Sequence, residues 1–378
     1  MMKMKIRLKE GKIVMVKKLN ELREWMDMQG AEVAFLTDPE NIAYLTGYHS
    51  DPHERVLGLA LFSEHDPFLF TPALEVEDAR GSSFNYDVYG YQDTENPFEI
   101  IAREIKNRVA SPTRIAIEKS HMSVDRFEQF SGHFKATSYL SIENKLQMLR
   151  LIKTPEELSI LKEAALLADE AVKIGIAEIA EGKTETEIVA KIEYEMKKKG
   201  ISKMSFETMV LTGANGALPH GTPGATKVKK GDLVLFDLGV VHKGYSSDTT
   251  RTVAFGEISD EQKRIYETVL EAQLAAIDQV KAGVPAKEID LAARNVIRKA
   301  GYGDYFPHRL GHGLGASVHE FPSITETNEM PLAENMVFTI EPGIYVPGIA
   351  GVRIEDDIVV TSEGYEILTE FTKDLLSV

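Results

Sequence analysis

The chain contains no cysteine among its 378 residues, and this absence excludes several classes of protein. Without thiols there is no disulfide framework, no thiolate metal site and no cysteine nucleophile. The sequence also lacks an apolar run of about 18 or more residues, the length that a membrane-spanning helix requires. The first 18 residues are rich in Lys and Arg but contain no apolar signal-peptide segment. We therefore expect a cytoplasmic protein that does not cross a membrane.

Basic residues are fewer than acidic residues. The chain has 43 Lys and Arg against 59 Asp and Glu, and its net charge is -16 at pH 7. Proteins that bind nucleic acid present a basic face to the phosphates, so this balance argues against a nucleic-acid partner. The hydrophobic share of 43% is that of a soluble globular protein. The length is sufficient for two domains.

Short apolar runs alternate with helical patterns over residues 1–148, which predicts an N-terminal α/β domain. Its predicted elements are strands 33–36, 56–62 and 114–117 and helices 19–29, 97–109 and 123–134. A different pattern starts at Thr154, where a capping threonine is followed by Pro155 and, three residues after the cap, by Glu157. This arrangement predicts the start of a long helix. We place the domain boundary near residues 149–153, with a second domain over 149–378.

The second domain contains an internal repeat. Gly182 and Gly283 each open a segment of matching spacing that predicts a helix. The two predicted helices stop the same distance on, at Gly200 and Gly301. A long predicted helix precedes each segment, and sheet-like segments follow. The repeat predicts two pseudo-symmetric helix–helix–sheet units that face each other across a cleft suited to a ligand.

Five residues of metal-ligand type stand where a purely structural role is awkward: Asp237, Asp248, His312, Glu341 and Glu355. Asp237 and Glu341 each end an apolar run, and a carboxylate at the end of a buried strand is costly unless positive charge meets it. Asp237 and Asp248 flank one predicted hairpin, which brings two carboxylates to one face. Glu341 and Glu355 flank a second hairpin in the same way. His312 lies in a glycine-rich loop that allows close backbone approach.

Each of the five residues also has an ordinary interpretation when it is taken alone. Asp237 could form a turn, and His312 could be a loop histidine. Glu355 could be one more strand charge beside a solvated Asp356 and Asp357. Together, however, four converging carboxylates would repel each other strongly, and divalent metal is the simplest resolution.

The ligand types limit which metals fit. Oxygen-rich ligation with a single imidazole suits a hard or borderline ion. Four carboxylates are too many for one closed zinc site, but they fit two metals that share bridging carboxylates. We therefore expect a hydrolase with two divalent ions, Mn²⁺ as first choice and then Co²⁺, Zn²⁺ or Fe²⁺.

At these positions the chain resembles a known family. The segments similar to motifs of the pita-bread metallopeptidases are 236–239, 245–252, 308–315, 339–345 and 351–357. Within that group the chain is most similar to Xaa-Pro dipeptidases (prolidases) and their aminopeptidase P relatives, and the match covers the second domain. The resemblance implies an α/β (α+β) protein, with a creatinase/prolidase-like α/β domain before a pseudo-symmetric pita-bread catalytic domain.

The resemblance also implies roles for the five residues. Asp237 would hold the first metal, and His312 and Glu341 would hold the second. Asp248 and Glu355 would bridge the two ions. A metal-bridging hydroxide would then attack the scissile carbonyl, with Glu341 as the proton shuttle beside it.

Two histidines and two arginines extend the implied site. His220 matches a histidine that lines the substrate site, and its ordinary interpretation is a turn histidine. His319 matches one that stabilises the tetrahedral intermediate as an oxyanion donor, and its ordinary interpretation is a core histidine. Arg309 matches an arginine of the dipeptidases that binds the substrate carboxylate bidentately. Arg353 is expected at the same site, where it would order the Glu355 carboxylate.

The N-terminal domain contributes one further candidate, the charged part of the loop that precedes the strand at residues 56–62. Its titratable residues Asp51, His53, Glu54 and Arg55 would, on their own, form a solvated loop. The loop resembles one that bacterial prolidases extend from one subunit over the active site of the other. There these four side chains would touch substrate or tune the site, which implies a homodimer.

The expected function is dinuclear-metal-dependent hydrolysis of Xaa-Pro dipeptides. Two alternatives stay open. An aminopeptidase P, which releases the N-terminal residue from longer Xaa-Pro peptides, would use the same five ligands. A non-enzymatic binding protein on the same fold would tend to lose ligands, and none is missing here.

Overall fold

The computed structural model describes the backbone of residues 2–378 and the side chains from residue 15 onward. The chain divides into two compact units, Met1–Leu149 and Arg150–Val378. Among residues 2–378, no helix is both long enough and apolar enough to cross a bilayer.

The N-terminal unit is built from six strands and six helices among its described residues. The strands are β1 (Val33–Leu36), β2 (Gly58–Phe62), β3 (Phe68–Pro72), β4 (Asp87–Tyr91), β5 (Arg114–Ile117) and β6 (Ser138–Ser141). The helices are α1 (Met2–Gln29), α2 (Pro39–Thr46), α3 (Val76–Gly81), α4 (Pro97–Lys106), α5 (Val124–Ser131) and α6 (Glu143–Leu151). The strands form one mixed sheet in the order β4-β3-β2-β1-β5-β6, with β1 parallel to β5 and antiparallel to β2.

Both faces of this sheet are covered by apolar side chains. Along β1, Ala34 and Leu36 pack into one buried cluster. Val33 and Phe35 point the other way and pack into a second cluster. The strands of a sheet that is buried on both faces read as continuous apolar runs, and β1, β2 and β5 were predicted from such runs. β3, β4 and β6 were not predicted.

The first helix is longer than predicted, because it begins at Met2 rather than at Leu19. The residues before Leu19 have no apolar periodicity, which is the signal that the prediction used. Lys, Arg and Met are nevertheless good helix formers, so a helix can extend through them.

The second unit contains four long helices and twelve strands among its described residues. The helices are α7 (Pro155–Ala177), α8 (Glu185–Lys198), α9 (Asp260–Asp278) and α10 (Ala286–Lys299). The strands of its first half are β7 (Met209–Thr212), β8 (Leu233–Leu238), β9 (Val241–His242), β10 (Tyr245–Ser246) and β11 (Thr249–Ala254). Those of its second half are β12 (Gly311–Gly313), β13 (Glu320–Ile324), β14 (Val337–Ile340), β15 (Gly343–Val346), β16 (Ala350–Arg353), β17 (Asp356–Val360) and β18 (Tyr365–Ile367).

The internal repeat is visible in the fold. α7 and α8 precede a sheet of order β11-β8-β7, and α9 and α10 precede a sheet of order β13-β12-β14-β17-β18. α8 and α10 have 14 residues each. Each is followed by a glycine in the left-handed region that ends a helix, Gly200 with φ 89° and Gly301 with φ 88°.

Among the described residues, one backbone bridge joins the two half-sheets. Thr250 of β11 and Glu355, which lies between β16 and β17, form an antiparallel bridge. The backbone N–H of Glu355 donates to the carbonyl oxygen of Thr250 at 3.1 Å. This junction brings carboxylates from both halves of the repeat to one place.

Candidate metal centre

The five predicted ligands lie around this junction, four of them at or next to strand ends. Asp237 is near the end of β8, where Thr250 of β11 is its partner in the ladder. Asp248 directly precedes β11, and Glu341 directly follows β14. His312 is the central residue of β12. The buried apolar residues of each strand fix the backbone, so the polar residue at its end is carried to the junction.

Three of these residues form a tight cluster. Asp248, His312 and Glu355 are buried, and one ligand atom from each lies within 4.8 Å of the others. Glu341 reaches this cluster, with Oε1 at 3.4 Å from His312 Nε2. Asp248 Oδ2 lies 3.6 Å from the same nitrogen. Asp237 and Glu341 are partly exposed, and Arg353 forms an ion pair with Asp237.

The imidazole of His312 has the tautomer and the charge state that binding of a cation requires. Its Nδ1 lies 3.1 Å from the carbonyl oxygen of Gly313, which only an N–H can approach favourably. Nε2 therefore carries the lone pair, and it faces the carboxylates. Burial, followed by the nearby His319, lowers the pKa of His312 to about 3, so the ring is neutral at physiological pH.

A second observation, the state of the carboxylate oxygens, also indicates that these ligands fit divalent cations. Asp248 Oδ1 and Glu355 Oε1 are buried and have no hydrogen-bond partner among the described residues. Burial, and then the neighbouring carboxylates, raise the pKa values of Asp248 and Glu355 well above their usual range. Buried oxygens without donors and carboxylates that repel each other are costly, and bound cations remove both costs.

Burial also raises the pKa of Glu341 to about 7, although Arg353 and Arg309 oppose this shift. Bound cations would favour the charged carboxylate, so this raised pKa describes the metal-free site. Glu341 Oε1 accepts a hydrogen bond from the Thr339 hydroxyl at 3.3 Å, and its backbone N–H donates to Leu310 O at 2.8 Å. These bonds hold the residue at the edge of the cluster.

Arg353 orders a different carboxylate from the one that the sequence suggested. Its guanidinium contacts Asp237 directly and donates from Nη1 to the hydroxyl of Tyr345 at 2.7 Å. Its Nε donates to Thr250 Oγ1 at 3.1 Å, and that hydroxyl donates to Glu355 Oε2 at 2.6 Å. Arg353 therefore acts on Asp237 directly and on Glu355 only through Thr250.

Arg309 and His319 lie beside the cluster. The ring of His319 packs edge-on against that of His312, with 4.3 Å between centroids. His319 is exposed, so its interpretation as a core histidine is wrong. Arg309 is half-buried, and its Nη1 donates to Ser323 Oγ at 3.3 Å. His220 is exposed on the loop that follows β7, and its charge is among the influences that lower the pKa of His319.

Sequence reasoning missed the roles of two residues inside the motifs. His308 Nδ1 lies 2.8 Å from Arg309 O, so this nitrogen carries the proton. The hydroxyl of Tyr345 therefore donates to His308 Nε2 at 3.0 Å while it accepts from Arg353. Burial lowers the pKa of His308 to about 4, which keeps it neutral. The signal was available, since both residues belong to the segments that carry the resemblance.

The reading of Asp356 and Asp357 as solvated residues is wrong, because both are completely buried. Asp356 accepts four hydrogen bonds, from Arg251 Nη2 and Gln273 Nε2 at 2.6 Å and from Thr369 Oγ1 and Lys373 Nζ at 2.7 Å. Burial alone would raise its pKa, but Arg251 and Lys373 outweigh burial and lower it to about 2. This network lies directly behind Glu355.

The candidate residues of the N-terminal unit lie on a loop that is fixed at both ends. The hydroxyls of Tyr48 and Ser50 both donate to Glu75. At the other end, Arg55 makes a bidentate ion pair with Asp93, at 2.9 and 3.1 Å. The three candidates between these anchors have highly exposed side chains: Asp51 (84%), His53 (71%) and Glu54 (76%).

Comparison with known proteins gives two family matches. Residues 159–362 match the model of metallopeptidase family M24. Residues 18–152 match the creatinase/prolidase N-terminal domain.

Individual proteins are similar over nearly the whole chain. An Xaa-Pro dipeptidase of Lactobacillus helveticus is 48% identical over 359 residues, which are 94% of this chain and 98% of that protein. The structure of an Xaa-Pro dipeptidase from Bacillus anthracis has a TM-score of 0.89 and 35% identity, and covers 96% of this chain and 100% of its own. An X-Pro aminopeptidase from Thermotoga maritima has a TM-score of 0.82 and 34% identity, and covers 92% and 98%.

Proposed function

Because the chain belongs to metallopeptidase family M24 and is a peptidase, we propose that it hydrolyses Xaa-Pro dipeptides with the help of two divalent metal ions. The observation that carries this proposal is the buried cluster of Asp248, His312 and Glu355, with unpartnered carboxylate oxygens beside a neutral imidazole. A peptidase of this family needs such a cluster, and a purely structural cluster would not leave these oxygens without donors.

The residues that would hold the ions are the five at the junction. Asp237 would bind one ion, His312 and Glu341 the other, and Asp248 and Glu355 both. When bound, the two cations would lower the pKa of a water molecule and polarise the scissile carbonyl. Mn²⁺ is our first choice, ahead of Co²⁺, Zn²⁺ and Fe²⁺, because oxygen ligands dominate the set.

Two residues would handle the proton and the developing negative charge. Glu341 would take a proton from the attacking water and deliver it to the proline nitrogen as the C–N bond breaks, because its carboxylate lies at the edge of the ligand cluster. The exposed His319 would donate a hydrogen bond to the carbonyl oxygen as it becomes negative. The exposed His220 would line the same substrate site.

Arg309 would select dipeptides over longer peptides. The C-terminal carboxylate of a dipeptide lies one residue beyond the scissile bond, where a guanidinium can bind it bidentately. Ser323 supports Arg309 from the side, at 3.3 Å. A longer peptide has no charge at that point. Arg353, which we expected from the sequence at the same site to order Glu355, would keep Asp237 oriented for metal and would not bind substrate directly.

The exposed loop of the N-terminal unit suggests a homodimer. The side chains of Asp51, His53 and Glu54 are highly exposed, and the contacts with Glu75 and Asp93 fix the two ends of the loop. In our proposal this loop covers the active site of the partner subunit. Arg55 would then serve mainly as an anchor, because Asp93 already occupies its guanidinium.

The deciding experiment is a substrate-length panel. Purified protein loaded with Mn²⁺ should cleave Ala-Pro and Leu-Pro faster than Ala-Pro-Ala, and protein stripped of metal should cleave none of them. Faster cleavage of the tripeptide would assign the chain to aminopeptidase P, a reading that the similarity to the Thermotoga maritima enzyme favours. Metal binding without any cleavage would favour the non-enzymatic alternative.

A further inference from the structure

A buried glutamate lies inside the loop that follows His312. Glu320 is the first residue of β13, and only 4% of its side chain is exposed. Its Oε1 accepts from Arg150 Nε at 3.1 Å and from Arg150 Nη2 at 2.6 Å. Its Oε2 accepts from Lys153 Nζ at 3.1 Å. Both cations precede α7 in the chain, and both side chains are nearly buried, at 10% and 3% exposure.

The loop is wrapped tightly around this carboxylate. The backbone N–H of Ser317 donates to Glu320 Oε1 at 3.1 Å. Gly315 packs so closely that a Cβ on it would come within 2.5 Å of the same carboxylate oxygen. The N–H of Gly315 donates to Ser317 O at 3.0 Å, which closes the turn. The conformation of residues 315–320 therefore depends on the glutamate that it encloses.

His319 is carried by this loop and directly precedes Glu320. Its exposed ring packs edge-on against His312, with 4.3 Å between centroids. Among the described residues, the hydrogen bonds and ion pairs of Glu320 join it to Arg150, Lys153 and Ser317 and to none of the five residues of the metal centre, so we do not count it among the ligands. Its influence on the site would pass through the position of the neighbouring histidine.

A buried ion cluster of this kind is weak evidence of a stabilising role. The desolvation of charges often costs as much as their attraction returns, and apolar side chains of similar size would often stabilise the fold as well. A cluster of one carboxylate and two cations does, however, fix the geometry of the groups that it joins. We therefore attribute to Glu320 a role in fixing the conformation of the loop of residues 315–320.

We propose that Glu320, held by Arg150 and Lys153, is a positioning residue that fixes His319 against His312 for the hydrolytic step. This inference rests on the proposed function, because it assumes that His319 contacts the reacting carbonyl. A displaced oxyanion donor weakens the transition state but not the bound substrate. Loss of Glu320 should therefore lower kcat and leave KM for the dipeptide almost unchanged.

The primary test is the substitution Glu320→Gln in the full-length, Mn²⁺-loaded protein. We expect kcat on Ala-Pro to fall by about 10- to 100-fold, KM to stay within about twofold, and the metal content to be unchanged. Amide hydrogen exchange over residues 313–320 should accelerate, both with and without metal. The matched control is Glu366→Gln, which breaks the exposed ion pair with Lys162 and should change none of these quantities.

A double-mutant cycle identifies the route of the effect. If Glu320 acts through His319, then Glu320→Gln combined with His319→Ala should be no slower than His319→Ala alone. Losses that multiply in the double variant would overturn the inference. So would a wild-type kcat for Glu320→Gln when His319→Ala is impaired. A wild-type kcat for His319→Ala would instead overturn the role that we propose for His319.

Lys153→Met provides a second variant in case Glu320→Gln does not fold. It removes one of the two buried cations and leaves the Arg150 contact with Glu320 in place, so the loop loses only part of its support. We expect a smaller fall in kcat, about three- to tenfold, again without a change in KM. An unchanged kcat and an unchanged hydrogen-exchange rate in Lys153→Met would contradict the proposal.

Discussion

Glu355 and Asp356 are neighbours in the chain, yet they lie in two regions with opposite electrostatics. On one side of this segment, which we call the front, Glu355 lies with Asp248 and Glu341 in a buried space. One of its oxygens has no partner among the described residues. On the back, Asp356 is saturated by four donors, two of them cationic. The pKa of Glu355 is raised well above its usual range, whereas that of Asp356 is lowered to about 2.

This contrast shows how a fold can keep one buried carboxylate for structure and the next for function. Both side chains are completely or almost completely desolvated, so burial alone does not separate them. The difference is the counter-charge, which the protein supplies at Asp356 and leaves to a bound cation at Glu355. A site that is incomplete without its metal is expected to destabilise the metal-free protein.

The largest expected effect comes from removing the front carboxylate. Glu355→Gln should lower kcat/KM on Ala-Pro by about 1000-fold or more, since in our proposal it removes a ligand shared by two ions. The same change should raise the melting temperature of the metal-free protein, because it removes a buried and repelled charge. Kinetics and thermal unfolding in chelator measure the two effects. If metal-free Glu355→Gln is less stable than the metal-free wild type, the contrast that we draw between Glu355 and Asp356 is wrong.

The matching change at Asp356 should lower the stability of the metal-free protein, whereas Glu355→Gln should raise it. Asp356→Asn leaves Arg251 and Lys373 buried without their anionic partner, and we expect it to destabilise the protein by about 3–5 kcal/mol. Denaturant unfolding of the metal-free protein measures this directly. The exposed Asp374 provides a control, because Asp374→Asn should change stability by less than about 0.5 kcal/mol. Equal stability effects of Glu355→Gln and Asp356→Asn would contradict the account.

The pH dependence of stability gives a further test of the front carboxylates, in this case of Glu341. Burial raises the folded-state pKa of Glu341 from 4.5 to about 7. Its contribution to the stability of the metal-free protein is therefore fully present below about pH 4.5 and is lost as the pH rises through 7. Metal-free Glu341→Gln should gain stability over the wild type across this range, by up to about 3 kcal/mol. A stability difference that does not change between pH 4.5 and 7.5 would argue against a desolvated Glu341.

The smallest effect concerns specificity rather than stability. Arg309→Ala should reduce kcat/KM on Leu-Pro by roughly 10- to 100-fold, the value of a charged hydrogen-bonded contact. Cleavage of Leu-Pro-Ala and the melting temperature should hardly change, because in our proposal Arg309 contacts the carboxylate of a dipeptide and no metal ion. Arg298→Ala, at an exposed ion pair with Glu326, is the control. An equal loss on both substrates would undermine the role of Arg309 in binding the carboxylate.

The fold class was predictable from the sequence because its signals are local. Apolar runs marked β1, β2 and β5 of the N-terminal sheet but not β3, β4 and β6. The comparisons confirm the predicted pairing of a creatinase/prolidase-like domain with a pita-bread domain. Capping residues such as Thr154 and paired glycines such as Gly200 and Gly301 marked the helices of the repeat. The start of α1 was missed, because its first residues carry no periodic pattern.

The ligand candidates were also visible, but their partners were not. The positions of Asp237 and Glu355 after or between apolar segments pointed to the site. Nothing local shows that Arg353 turns towards Asp237, which is 116 residues away in the sequence. In the same way, the burial of Asp356 depends on Arg251 and Lys373, which come from distant segments. Local patterns locate a charge, whereas tertiary packing decides what neutralises it.

The most direct test of the central claim is a calorimetric titration of metal-free protein with Mn²⁺, supported by elemental analysis. Our account predicts two ions per chain in the wild type and a clear loss of binding in Asp248→Asn and Glu355→Gln, with Asp374→Asn unaffected. A wild-type protein that binds no Mn²⁺, Co²⁺, Zn²⁺ or Fe²⁺, or one whose binding survives both substitutions, would contradict it.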